Sequence, residues 1–129
     1  MRSTVTPKLV YEEPRPMRRE EAEQLLLSGV SGDVERALLA VALHESDLGF
    51  ASGVVFAGAQ STDAAVRGTA LLCIGHLARL HGILPEQPTL RLVQAGLKDD
   101  DEYVRGQAEN AADDLLVFVP EVGRKLRGS

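Results

Sequence analysis

Moved along itself by about 38 residues, the chain overlies its own copy. Asp63, Val66, Arg67, Gly68, Ala70 and Leu77 fall on Asp101, Val104, Arg105, Gly106, Ala108 and Leu115. Upstream, Val55, Ala57 and Gly58 fall on Val93, Ala95 and Gly96. A period of this length marks a stacked array, in which one unit cannot bury its apolar face alone. Each copy carries a helical stripe. Val66, Ala70, Cys73, Ile74 and Leu77 form one, and Val104, Ala108, Ala111, Ala112 and Leu115 repeat it at i, i+4, i+7 spacing. Segments 48–81 and 86–118 are therefore expected to be like helix pairs.

Residues 18–44 supply a third, more diverged pair. Its first helix runs from about Arg18 to Ser28, with Glu20, Glu21 and Glu23 near the start, where the helix dipole favours carboxylates. Its second runs from Ser31 or Gly32 to His44, with Val34, Leu38, Val41 and Ala42 on one face. Asp47 suits the N-cap of a third helix ending near Gly58. Gly49 and Gly53 weaken that helix by about 1 kcal/mol each against Ala, so packing must hold it. Ser61 or Thr62 caps a fourth, with Gly82 as its stop. A fifth starts near Pro88, and a sixth runs from Asp99 or Asp100 to Phe118. No stretch from 18 to 118 alternates with period two for long enough to make a strand. The expected fold is all-α: an α-α superhelix of about three helix pairs over 18–118. An extended arm, 1–17, precedes it, with Pro7, Pro14 and Pro16 keeping it out of helix and Leu9, Val10 and Tyr11 available to lie over the body. A short basic tail, 119–129, is expected to fray after Pro120.

Aromatics make up 4% of the chain and there is no Trp, so the core must come from Leu, Val and Ala, which suits closely packed helices. The net charge of −5 is uneven. Residues 21–84 carry −4 and 85–118 carry −5, while the first twenty residues and the last eleven carry +2 each. An acidic body repels phosphates and favours a cationic partner; the alternative is that the charge only keeps the chain soluble. The single cysteine, Cys73, rules out an internal disulfide, and its apolar neighbours make it a buried small hydrophobe rather than a nucleophile. No apolar stretch reaches membrane-spanning length, and the N-terminus has no signal-peptide core, so the cytoplasm is the expected compartment.

The stretch from Leu97 through Asp99, Asp100, Asp101, Glu102, Tyr103, Val104, Arg105, Gly106 and Gln107 to Ala108 resembles the intra-unit turn and second helix of HEAT repeats. In that family an Asp before the second helix and an Arg six residues later commonly hydrogen-bond between stacked units. The resemblance thus implies an inter-repeat role for Asp99 and Arg105. Arg67 matches in the preceding unit, but Ser61 stands where the Asp would be, which implies a softer N-terminal junction. A narrower resemblance rests on three stretches: Tyr11-Glu12-Glu13-Pro14-Arg15-Pro16, Arg19-Glu20-Glu21-Ala22-Glu23 and Gly75-His76-Leu77-Ala78-Arg79-Leu80-His81-Gly82. Together they look like small bacterial HEAT-like proteins of contact-dependent inhibition and polymorphic toxin systems. The resemblance implies an immunity protein that binds and blocks a cationic, nuclease-type toxin domain. The alternative is a generic adaptor on the same fold.

Catalytic constellations are absent from the sequence: there is no Gly-rich phosphate loop and no paired-Cys metal motif. His76 and His81 point about 140° apart on one helix, where a zinc pair needs i, i+4 spacing. No metal or other cofactor is expected, and no enzyme activity. Nucleic acid and membrane are not expected partners, and the free chain is expected to be a monomer. Candidate partner-binding residues lie on the second helices of the two clear units. Glu102, Glu109 and Asp113 share one side of the last helix, and Tyr103, Gln107, Asn110 and Asp114 line the adjacent strip. His76 and Arg79, three apart, face the same way. They either form a polar contact site or bond to neighbouring helix ends or to the arm. For the carboxylates the competing reading is a solvated helix face.

Overall fold

The computed structural model describes residues 15–127; the arm's Leu9, Val10 and Tyr11 lie outside them. Seven helices follow one another: α1 (Arg19–Leu26), α2 (Ser31–His44), α3 (Leu48–Gly58), α4 (Ala64–His81), α5 (Glu86–Leu97), α6 (Glu102–Phe118) and α7 (Pro120–Arg127). Among the described residues there is no strand. The fold is an all-α superhelix. The sequence period survives in the element boundaries, since α3 and α5 begin 38 residues apart, as do α4 and α6.

Aspartates cap α3, α4 and α6. Asp47, Asp63 and Asp101 each accept a hydrogen bond from the backbone N–H three residues on, at Phe50, Val66 and Val104. Such caps contribute about 1 kcal/mol each. The caps of α4 and α6 fall later than the sequence reading placed them. The reason lies one step upstream, where Ser61 Oγ and Asp99 Oδ1 accept the N–H of Asp63 and Asp101. The predicted capping residues thus fold the turn, and the next acid caps the helix. Gly82, at φ 70°, ends α4 in the left-handed region that side chains avoid.

The second helices α2, α4 and α6 stand side by side with α4 in the middle, and α3 and α5 pack across them. Being enclosed on two sides, α4 buries ten residues, most of them small: Gly68, Thr69, Ala70, Cys73, Gly75 and Ala78 among them. The stripe residues of the two copies end in the same place. Ala70 and Ala108, and Leu77 and Leu115, are all fully buried. Burial pushes the Cys73 thiol up to about 12, which keeps it protonated and inert.

One expectation is corrected. The tail expected to fray is the helix α7, which packs on α5 and α6 and buries Val122 and Leu126, with Val119 buried just before it. Pro120 does not stop a helix there; it starts one, at the position where its missing N–H costs nothing. Lys125 adds an ion pair to Glu86.

Three variants test this packing. The Thr89 hydroxyl is buried with no hydrogen-bond partner, so Thr89→Val should raise stability by about 1 kcal/mol in urea unfolding. A Cβ on Gly123 would come within 2.4 Å of the Leu116 backbone, which cannot step aside. Gly123→Ala should therefore cost about 1–3 kcal/mol. Gly106→Ala, where a Cβ meets nothing within 4 Å, should be neutral or stabilising.

Candidate protein-binding surface

A single guanidinium joins the last two units. Arg67 Nε and Nη2 donate to the two oxygens of Asp99, both at 2.9 Å. Its Nη1 donates to the carbonyls of Ser61 and Thr62. Arg67 therefore staples its own turn and clamps the turn of the next unit, with the bidentate geometry that makes Arg–carboxylate pairs specific. The hydrogen bonds from Arg67, then that from the Asp101 N–H, hold the Asp99 carboxyl below the usual carboxylate range. Arg105 does not enter this ladder. It donates only to the Asp99 and Asp100 carbonyls of its own turn, at 2.7 and 3.0 Å, because α7 rather than another unit follows it. At the junction between the first two units the ion pair is replaced by Ser31 donating to Asp63 and Thr69 donating to Glu35.

A part-buried polar row crosses the second helices. Thr69 Oγ1 lies 2.9 Å from Glu35 Oε1 and 3.0 Å from the Tyr103 hydroxyl. With Thr69 donating to the carboxylate, Tyr103 donates to Thr69, and three units are linked side chain to side chain. The Tyr103 ring lies against Gly68, where a Cβ would come within 2.4 Å of it. Asp114 uses Gly75 in the same way, also at 2.4 Å. Both residues, predicted as partner contacts, thus sit in the seam between α4 and α6. Tyr103 still leaves 43% of its surface exposed.

Beside that seam Arg79 Nη2 stands 3.3 Å from His76 Nδ1. Burial, then the Arg79 charge, holds the His76 imidazole below its ordinary range, against the pull of Asp114. Glu102, Glu109, Asn110 and Asp113 are exposed on α6, and the Asn110 amide donates to Gln107 Oε1. The predicted residues therefore divide. Tyr103, Asp114 and His76 are part-committed to the seam, while Glu102, Glu109 and Asp113 face solvent.

Sequence reasoning missed Glu35 and Thr69, although Glu35, Thr69 and Tyr103 are spaced 34 apart. It also missed several exposed apolar residues. The contacts of Gly68 with Tyr103 and of Gly75 with Asp114 show that α4 and α6 run in the same direction. Their C-terminal ends adjoin, and there Leu80, Ile83, Leu116, Val117 and Phe118 are exposed. Apolar residues gathered at one place on a surface mark a protein contact better than scattered ones do. Among the described residues no group of three or more His, Cys, Asp or Glu is placed to hold a metal ion. No described helix is long and apolar enough to cross a membrane.

No family model and no curated protein matches this chain. A solved structure does. The chain is similar to a chain of a CDI complex from Cupriavidus taiwanensis LMG 19424, at TM-score 0.73 and 28% identity. The match covers 84% of this chain and 96% of that one.

The Arg67–Asp99 clamp has a pH signature. A carboxyl with a depressed folded pKa adds stability above its unfolded value, and that stability is lost as pH falls through the folded value. Asp99→Asn should lower the Tm at pH 7, and the gap to the unaltered protein should close below about pH 4. A gap that stays constant down to pH 2 would show that the clamp is not electrostatic.

Proposed function

We propose that this protein is an immunity protein: it binds a cognate toxin domain of a contact-dependent inhibition system and blocks it by covering its surface. The observation that carries the reading is the likeness, over nearly the whole of the other chain, to a component of a CDI complex. The fold suits the task. Three second helices held in register by side-chain links present a pre-ordered surface, so little is lost in ordering it on binding. No enzymatic step is part of this reading. HEAT-like units serve as the scaffold, and the cytoplasm as the place where toxin and immunity protein meet.

The toxin surface is proposed to be cationic, as that of a nuclease domain is. Support comes from α6, whose exposed Glu102, Glu109 and Asp113 are joined in the seam by Asp114. Charges of this kind speed encounter, while desolvated apolar contacts set the off-rate. The exposed Leu80, Val117 and Phe118 beside them supply such contacts.

The test uses the toxin domain that this reading expects to be encoded next to this chain's gene. Co-expression should restore growth to cells making that domain, and the two proteins should co-purify. Replacing Glu102, Glu109 and Asp113 together by Gln, Gln and Asn should slow association roughly tenfold at low salt and flatten its salt dependence, with Tm unchanged. An association rate indifferent to the triple substitution would remove the electrostatic part of the reading. Absence of any complex would remove the whole.

A further inference from the structure

Between α1 and α3 the superhelix is open. Both helices pack on α2, yet no Cα of one lies within 8 Å of a Cα of the other. One unit later the equivalent first helices, α3 and α5, do approach. The gap is a groove of about 920 Å³, walled by Leu26 of α1 and Leu27 just after it and by Phe50 and Val54 of α3, with Val34 and Val66 between. Gly53 lines it without a side chain, and a Cβ there would meet nothing within 4 Å.

The two ends of the groove differ. At one, the Arg19 guanidinium lies 4.2 Å over the Phe50 ring and pairs with Glu45 and Asp47. At the other stand Ser61, Thr62 and Asp63. The chain enters α1 at the Phe50 end. Met17 packs against the core there, and Arg18 is extended at φ −69° and ψ 153°.

We propose that this groove is the seat of the chain's own N-terminal segment, residues 1–14, with Leu9, Val10 and Tyr11 against its walls. Reach allows it. The 11 residues of α3 span about 16 Å at the helical rise, which roughly five extended residues cover. The chemistry matches as well. Val5, Leu9, Val10 and Tyr11 supply apolar side chains, and Arg2 and Lys8 supply cations for the Asp63 end. Pro7 and Pro14 keep the segment from competing helix. Being tethered at the mouth of the groove, it has an effective concentration in the millimolar range, ahead of any second copy. The segment thereby does for the first unit what α3 and α5 do for each other. This inference goes beyond the immunity reading and does not depend on it.

Thiol labelling in the full-length chain tests it. Cys73 is buried and silent, so Gly53→Cys reports the groove, and Gly106→Cys, on open α6 surface, is the reference. A maleimide should label Gly53→Cys at least about tenfold more slowly than Gly106→Cys, because access limits the reaction. Replacing Leu9, Val10 and Tyr11 together by Ser should bring the two rates to within about twofold, with circular dichroism and Tm confirming that each variant is folded. Protection should not change with protein concentration. As a second measurement, Leu9→Cys combined with Gly53→Cys should form an intramolecular disulfide in dilute solution under mild oxidation. Equal labelling rates in the unaltered background would overturn the proposal. So would protection that survives the triple Ser substitution, or that grows with concentration and so places a second copy in the groove.

Discussion

Two helices built from leucine, valine and alanine leave apolar surface on both sides of their plane, and only another pair laid against them can cover it. The rest of this structure answers that need. The cost falls on α4, which is enclosed on two sides and has room for few large side chains. Glycine at 68 and 75, alanine at 70 and 78 and cysteine at 73 let α2 and α6 come close. Leu71, Ile74 and Leu77 then fill the remaining space. At the C-terminal end the same demand is met differently, since α7 lays Val122 and Leu126 over α5 and α6 instead of adding another unit.

Apolar contact alone does not choose the offset between stacked units, because a stripe of similar small residues packs nearly as well one turn along. The polar links do. Arg67 holds Asp99 through two hydrogen bonds while bound to its own turn. Glu35, Thr69 and Tyr103 connect the three second helices. The bidentate clamp lies at the better-matched pair of repeats. The first junction relies on Ser31 and Thr69, with Arg19 reaching across to Glu45 and Asp47 at its open end.

The outer surface divides accordingly. Residues in the seam between α4 and α6 are tied into the structure and lend it shape. Glu102 and Glu109 on the solvent side of α6 are exposed, as are apolar side chains near the ends of α4 and α6. For the proposed immunity role, exposed charge would speed encounter and apolar contacts would slow release.

Much of the fold was legible in the residues. The 38-residue repeat, the amphipathic stripes and the glycine and aspartate punctuation specify six helices, because each signal depends on neighbours at i, i+3 and i+4. Two local features were misread. Ser61 and Asp99 fold the turns before the caps, and Pro120 begins α7, because a turn and a cap draw on the same residue types, and a proline can end one helix or open another. The site was less legible. Tyr103 and Asp114 look like free residues of an exposed strip, yet glycines 35 and 39 residues earlier receive them in the seam. Arg105 carries the right residue at the right spacing but has no following unit to hold. The separation of α1 from α3, and the nearness of the C-terminal ends of α4 and α6, are likewise tertiary. Periodicity determined which side of each helix is buried; the distance and offset between helices depended on side-chain volumes and hydrogen bonds between residues more than 30 positions apart, which no local pattern encodes.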